Sequence, residues 1–102
     1  MRKLVLALDQ GTSSSRAILF DQDAQLVASH SVAFNCAYPQ PGWVEIDAWT
    51  LWQSQLECVR KVLSSAAVAA ADVTALGITN QRETVLAWNR TTGEPLGPAI
   101  VW

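Results

Sequence analysis

The run Leu4-Val5-Leu6-Ala7-Leu8, stopped by Asp9-Gln10-Gly11-Thr12, constrains this chain more than any other feature. Five consecutive apolar residues are too few for a helix, and turn-forming residues follow at once. The run therefore predicts a strand buried on both faces that opens into a turn. A second strand is expected directly after it, over Arg16 to Asp21, which is apolar and partly β-branched. Gln22-Asp23-Ala24 then turns the chain into a third strand, Leu26 to Phe34. There Leu26, Ala28, Val32 and Phe34 alternate with Val27, Ser29, Ser31 and Ala33, and His30 alone interrupts the apolar side. The three segments predict an antiparallel meander, with His30 a strand-edge or hydrogen-bonded residue rather than a catalytic one.

Tyr38-Pro39-Gln40-Pro41-Gly42 cannot continue a central strand, because proline lacks the ladder donor, so a loop is expected here. Asp47 suits a helix N-cap. Trp52, Leu56, Val59, Leu63 and Ala66 recur at spacings of four and three, which predicts an amphipathic helix ending near Ala67. Beyond it, Val73 to Thr79 reads as another buried strand and Val85 to Trp88 as the next. Asn89 to Glu94 reads as a hairpin turn and Ala99 to Trp102 as a last strand. Trp43, Trp49, Trp52 and Trp88 are expected to pack in the core or under loops. The fold class is thus α/β, a mixed sheet beginning with a three-stranded meander. Its element order is similar to that of the ribonuclease-H-like lobe of actin, hexokinase and Hsp70-type proteins. The apolar ending Ile100-Val101-Trp102, without a polar tail, predicts a partial chain.

Half of the 102 residues are apolar and 16% are charged, which is enough apolar content for one domain with a core and is unlike a disordered segment. The seven basic residues are scattered and the net charge is −2, so no electrostatic footprint for nucleic acid is present. No apolar stretch approaches the roughly 20 residues needed to span a bilayer. Cys36 and Cys58 have neither zinc nor redox-pair spacing and read as free thiols, consistent with a reducing cytoplasm.

Two constellations carry candidate chemistry. In the first, a carboxylate closes an apolar strand and is followed by a glycine and hydroxyls: Asp9-Gln10-Gly11-Thr12-Ser13-Ser14-Ser15-Arg16. Glycine permits a tight turn with positive φ, so backbone N–H groups can converge on phosphate oxygens, and the hydroxyls of Thr12, Ser13 and Ser14 add donors. Arg16 adds a bidentate cation. Asp9 can hold Mg²⁺, a hard cation that keeps several waters and takes one or two carboxylates. No Gly-Lys-Ser or Gly-Lys-Thr occurs, so this is not a Walker loop. An ordinary hairpin turn explains the same glycine and serines.

In the second constellation, Thr79-Asn80-Gln81-Arg82-Glu83 ends the apolar strand beginning at Val73, where open α/β sheets place ligands. Arginine donates and glutamate accepts, so Arg82 and Glu83 together can satisfy adjacent hydroxyls of a polyol, and a substrate lacking them would leave these groups unpaired. A solvated ion pair on a turn is the alternative.

At these segments the chain resembles the FGGY carbohydrate kinases, and within them the glycerol-phosphorylating branch. The resemblance is carried by Leu8 to Ala17 and Ile78 to Thr84, with Pro39-Gln40-Pro41-Gly42-Trp43-Val44-Glu45 and Ala99 to Trp102 in agreement. It extends over essentially the whole chain, and Asn80 to Glu83 is its most specific part. It implies that residues 1–102 form the N-terminal part of the first kinase lobe, without the second. The implied reaction of the full-length protein is phosphoryl transfer from ATP, with Mg²⁺, to glycerol, giving sn-glycerol 3-phosphate. By the same resemblance Thr12, Ser13, Ser14 and Arg16 would contact ATP phosphates and Asp9 would lie near Mg²⁺. Arg82 and Glu83 would hydrogen-bond glycerol, and Trp102 would pack on its carbon chain. An aspartate base, further glycerol contacts and the adenosine pocket would come from beyond Trp102, so these 102 residues alone are expected to be inactive. Ser13 stands where the family often has threonine, and the hydroxyl is kept. A cytoplasmic location is implied, and a homo-oligomer of the full-length protein stays open. The alternatives are another FGGY sugar kinase or a non-catalytic phosphate-binding fragment.

Overall fold

The computed structural model describes residues 2–102. Strands β1 (Leu4–Gln10), β2 (Ser14–Phe20) and β3 (Leu26–Ala33) form the expected antiparallel meander. A short strand that the sequence reading did not anticipate, β4 (Val44–Ile46), leads into helix α1 (Ala48–Ser65). A single turn of 3₁₀ helix over Ala70–Asp72 then delivers β5 (Val73–Thr79), which pairs parallel to β1. The main sheet therefore runs β3-β2-β1-β5. Strands β6 (Thr84–Val85) and β7 (Ala99–Val101) join β4 in a second, small sheet ordered β4-β7-β6.

Helix α1 starts where expected. The Asp47 carboxylate accepts from the Thr50 backbone N–H and hydroxyl, both at 3.2 Å, which satisfies a donor the first helical turn would otherwise leave unpaired. Ala67, in the left-handed region at φ +52°, turns the chain out of the helix, and Val68 N–H then donates back to Leu63 O. The buried line of the helix is not the one that spacing suggested. Ser54, Cys58 and Val62 face the sheet, while Val59, Leu63 and Ala66 flank them and Trp52 points to solvent. Small side chains at 54 and 58 let the helix axis approach β2 closely, over Ser15 and Ala17, which are fully buried. A larger stripe could not sit so near.

The core lies between α1 and one face of the sheet, where Leu4, Leu6, Ala17 and Leu19 meet Cys58 and Val62. Two expectations of burial fail here. Strand β1 is covered on one face only, with Val5 exposed on the other, and β5 is largely exposed, Leu76 at 54% and Ile78 at 70%. The reason is that α1 lies over β2 and β3 and does not reach β5 at the sheet's edge. The tryptophans expected to pack in the core or under loops, Trp43, Trp49, Trp52 and Trp88, are likewise all exposed. His30 does sit on the edge strand β3, opposite Ala17.

The predicted strand over Val85 to Trp88 shrinks to β6 plus an isolated Trp88–Pro95 bridge. The turn it leads into is as expected: Asn89 N–H donates to Glu94 O, and the Asn89 side chain accepts from the Thr91 and Thr92 amides. Both cysteines are free thiols. Among the described residues, no helix is long and apolar enough to cross a membrane.

Candidate functional site

The register of the main sheet brings the two constellations together. Because β1 and β5 are parallel, with Asp9 opposite Thr79, both polar segments leave the sheet at the same end and side by side. Between them lies an open cleft of about 460 Å³. One wall is Asp9 to Thr12, the other is Thr79 to Glu83, and the Trp102 side of β7 closes a third edge. Of the residues singled out in the sequence, Asp9, Thr12, Arg82, Glu83 and Trp102 line this cleft.

Ser13, Ser14 and Arg16 do not line it. Strand β2 begins at Ser14, two residues earlier than expected, because Gln10 pairs with Ser15 and Asp9 with Arg16. The turn is therefore only Gly11-Thr12-Ser13, closed by Gly11 N–H donating to Ser14 O at 2.9 Å. Ser13 sits exposed at its tip, and its carbonyl accepts from Phe34 N–H at 3.0 Å. Arg16 shares the sheet face of Asp9, being its cross-strand partner, and its Nε donates to the Ser29 hydroxyl at 3.4 Å.

Gly11 serves this turn for a different reason from the one the sequence suggested. Its φ is not among the positive ones, which belong to Gly42 and Gly93. A Cβ at Gly11 would instead lie 2.9 Å from the backbone oxygen of Ser14. Glycine is required by close approach.

The second wall carries strain. Glu83 adopts φ +54°, a left-handed conformation that costs a non-glycine residue about 1 to 3 kcal/mol. The turn is braced by the Thr84 hydroxyl, which donates to Arg82 O at 3.1 Å. Beside it, both polar atoms of the Gln81 side chain are shut away from solvent and have no hydrogen-bond partner, a condition worth about 1 to 3 kcal/mol per group. Backbone strain and unmet hydrogen bonding thus meet on this one wall of the cleft.

Four residues of the cleft were not picked out from sequence, Thr79 and the amides Gln10, Asn80 and Gln81. Their positions inside the two polar segments were the available signal, but an uncharged amide carries no chemistry that spacing alone can reveal. Among the described residues no group of three or more His, Cys, Asp or Glu side chains is placed to hold a metal ion by itself. The cleft presents one carboxylate on each wall, Asp9 and Glu83, with the Arg82 cation beside the latter.

Comparison with known proteins agrees with this geometry. Residues 4–102 match the N-terminal domain of the FGGY family of carbohydrate kinases. The glycerol kinase of Bordetella pertussis is 57% identical over 100 residues, which is 98% of this chain and 20% of that protein. That of Delftia acidovorans is 56% identical over 98 residues, 96% of this chain and 20% of its own length. Among solved structures, the Plasmodium falciparum glycerol kinase with ADP superposes with a TM-score of 0.87 at 31% identity, covering 99% of this chain and 20% of that one. The gluconate kinase of Lactobacillus acidophilus, at 20% identity and a TM-score of 0.88, covers 100% of this chain and 20% of its own, and shares the fold. The chain thus spans about a fifth of the length of the curated relatives it matches. With a match over nearly all of its residues and close relatives at more than half identity, the chain belongs to the FGGY family of carbohydrate kinases.

Proposed function

We propose that a protein of full family length bearing this segment phosphorylates glycerol at a terminal hydroxyl with ATP, giving sn-glycerol 3-phosphate, and that residues 1–102 form the N-terminal part of its first lobe. The observation that carries this reading is the single cleft in which the Asp9 to Thr12 hairpin and the Arg82-Glu83 turn face each other. A phosphate-binding wall and a hydroxyl-binding wall must be adjacent for phosphoryl transfer, since the reaction is chiefly positioning and charge stabilisation.

In this reading the hairpin meets the nucleotide. Thr12 reaches the phosphates from inside the cleft, while Ser13, Ser14 and Arg16 stand at its rim and come into contact when the opposing lobe closes over them. Arg82 donates to, and Glu83 accepts from, neighbouring hydroxyls of glycerol, and Trp102 covers its carbon chain. The strained Glu83 backbone aims the carboxylate, and Gln81 gains a partner from the occupied site. The glycerol oxygen bonds to the γ-phosphorus as the bond to ADP breaks, and the hydroxyl proton passes to a base supplied from beyond Trp102.

The donor set fits Mg²⁺ in one specific sense. Asp9 offers a single carboxylate with the Thr12 hydroxyl nearby, and this cation is ordinarily held by one or two carboxylates together with phosphate oxygens and water. When bound it neutralises charge on the transferring phosphates.

Glycerol is favoured over a larger sugar acid or ketose by the relatives at 50 to 57% identity, all glycerol kinases, whereas the gluconate and xylulose kinase structures stand at 20 to 28%. Free thiols at Cys36 and Cys58 suit a cytoplasmic enzyme. Isothermal titration of glycerol, then MgATP, into the full-length protein tests the reading. Glycerol binding in the micromolar to millimolar range that Arg82→Ala abolishes is expected. MgATP binding without glycerol binding would assign a different acceptor sugar.

A further inference from the structure

Behind the phosphate-facing hairpin runs a buried chain of hydrogen bonds that leads into helix α1. Gln10 Nε2 donates to Ser15 Oγ at 2.9 Å and also to Gly11 O at 3.2 Å. Ser15 Oγ lies 2.6 Å from Ser54 Oγ, and Ser54 Oγ donates to Leu51 O at 3.1 Å. Ser15 is fully buried and Ser54 is 6% exposed.

Each hydroxyl has one proton, and one assignment gives both hydroxyls a donor and an acceptor. Gln10 donates to Ser15, Ser15 to Ser54, and Ser54 to the helix carbonyl of Leu51, while the second Gln10 proton goes to Gly11 O. The alternative contact, Ser15 Oγ donating to Gln10 Oε1 at 3.1 Å, is longer and would leave Ser54 to choose between two acceptors. One helical turn further on, Cys58 Sγ donates to Ser15 O at 3.3 Å, so the first buried residue of β2 is held to α1 through both its side chain and its carbonyl.

We propose that helix α1 sets the position of the Gly11-Thr12-Ser13 turn through this relay, and that Ser54 and Ser15 are positioning residues for the nucleotide phosphates; the nucleotide part rests on the kinase reading above. Three facts converge on it. The relay joins the helix to the two residues, Gln10 and Ser15, whose pairing forms the neck of the hairpin. It ends on Gly11 O, inside the turn itself. It also removes Ser15 from the run of hydroxyls, turning it under the sheet while Thr12 faces the cleft. A polar path through a largely apolar interface is costly unless its buried hydroxyls are paired, and here both are. Alanine at 54 would be as small as serine and let the helix approach as closely, so packing alone gives no reason for a serine.

Amide hydrogen exchange on the full-length protein tests the anchoring directly. Ser54→Ala is expected to speed exchange at least tenfold at the Gly11 and Phe34 amides, which donate to Ser14 O and Ser13 O, and to leave the β5 amides unchanged. Ser15→Ala, which breaks the relay at its other hydroxyl without adding bulk, is expected to have the same effect. Unchanged exchange at Gly11 and Phe34, or a uniform rise across the sheet, would overturn the proposal. In the full-length protein, Ser54→Ala is expected to raise the KM for MgATP about tenfold with the glycerol KM unchanged; an equal rise in both would overturn the nucleotide role. If the unsubstituted protein binds no MgATP, the kinase reading fails and the nucleotide role with it, while the exchange result still decides whether α1 anchors the turn.

Discussion

Asp9 on β1 lies directly opposite Thr79 on β5 in a parallel pairing. This one register position sets the Gly11 hairpin beside the Arg82-Glu83 turn, the two walls proposed for phosphate and polyol. Shifting it by one residue would send the two polar segments to opposite faces of the sheet, and the two halves of the proposed reaction could no longer meet.

Replacing Glu83 with glutamine keeps shape and removes the charge-assisted acceptor. In the full-length protein Glu83→Gln is expected to raise the glycerol KM about tenfold to a hundredfold, in line with roughly 1.5 to 3 kcal/mol for a hydrogen bond to a charged group, and to leave the MgATP KM within about twofold. Steady-state kinetics with each substrate varied in turn checks this. Equal effects on both substrates would count against Glu83 as a glycerol ligand.

The φ of +54° at Glu83 predicts an opposing effect on stability. Glu83→Gly removes the backbone strain and is expected to stabilise the chain by up to about 1 kcal/mol in urea unfolding while abolishing glycerol binding. Loss of stability in this variant would show that the turn is not strained.

At Gly11 the obstacle is steric. A methyl group there meets Ser14 O at 2.9 Å, so Gly11→Ala is expected to cost about 1 to 3 kcal/mol and to weaken MgATP binding more than glycerol binding. Chemical denaturation and calorimetric titration together give the two numbers.

Burial pushes the Cys58 thiol above its ordinary pKa of 9.0, with nearby Glu57 adding to the effect and a backbone hydrogen bond from Val32 opposing it. A folded-state pKa above the unfolded one means that this contribution to stability is complete below pH 9 and is lost as pH rises through the higher folded value. The melting temperature should therefore fall on the alkaline side of pH 9, and Cys58→Ala should flatten that limb. At pH 8, half-buried Cys36 should react with a thiol reagent first and Cys58 only on unfolding.

Asp47 caps α1 through two hydrogen bonds. Asp47→Ala is expected to cost about 1 kcal/mol, seen as a fall of roughly 4 to 8 °C in melting temperature for a domain of this size. Asp47→Ser should recover most of it.

The meander, the helix with its Asp47 cap, the Asn89 turn and the two polar segments were legible in the sequence, because each is dictated by local periodicity or by turn and cap chemistry. What was not legible depends on which surfaces meet. Val73 to Thr79 has the composition of a buried strand, yet Leu76 and Ile78, on the same face as Leu6 and Leu8, stand exposed because α1 lies over β2 and β3 and leaves this edge of the sheet uncovered. The helix stripe was misread by one position for a related reason: Ser54 and Cys58 are buried as small residues under close packing, and apolar spacing favours large ones. For the cleft, the charged residues announced themselves. Gln10 and Gln81 did not, since their part is fixed by what their amides touch or fail to touch.

The parallel pairing of β1 with β5 also bears on the order of folding. The β1–β2 and β2–β3 ladders close through short turns and can form early, whereas β5 can find β1 only after the meander and α1 have been made, across the largest loop in the main sheet. The Gly11 hairpin is thus expected to form before the Arg82-Glu83 turn arrives beside it. Closing the cleft is then the last step, so a protein caught short of that pairing would already have a structured hairpin with nothing opposite it.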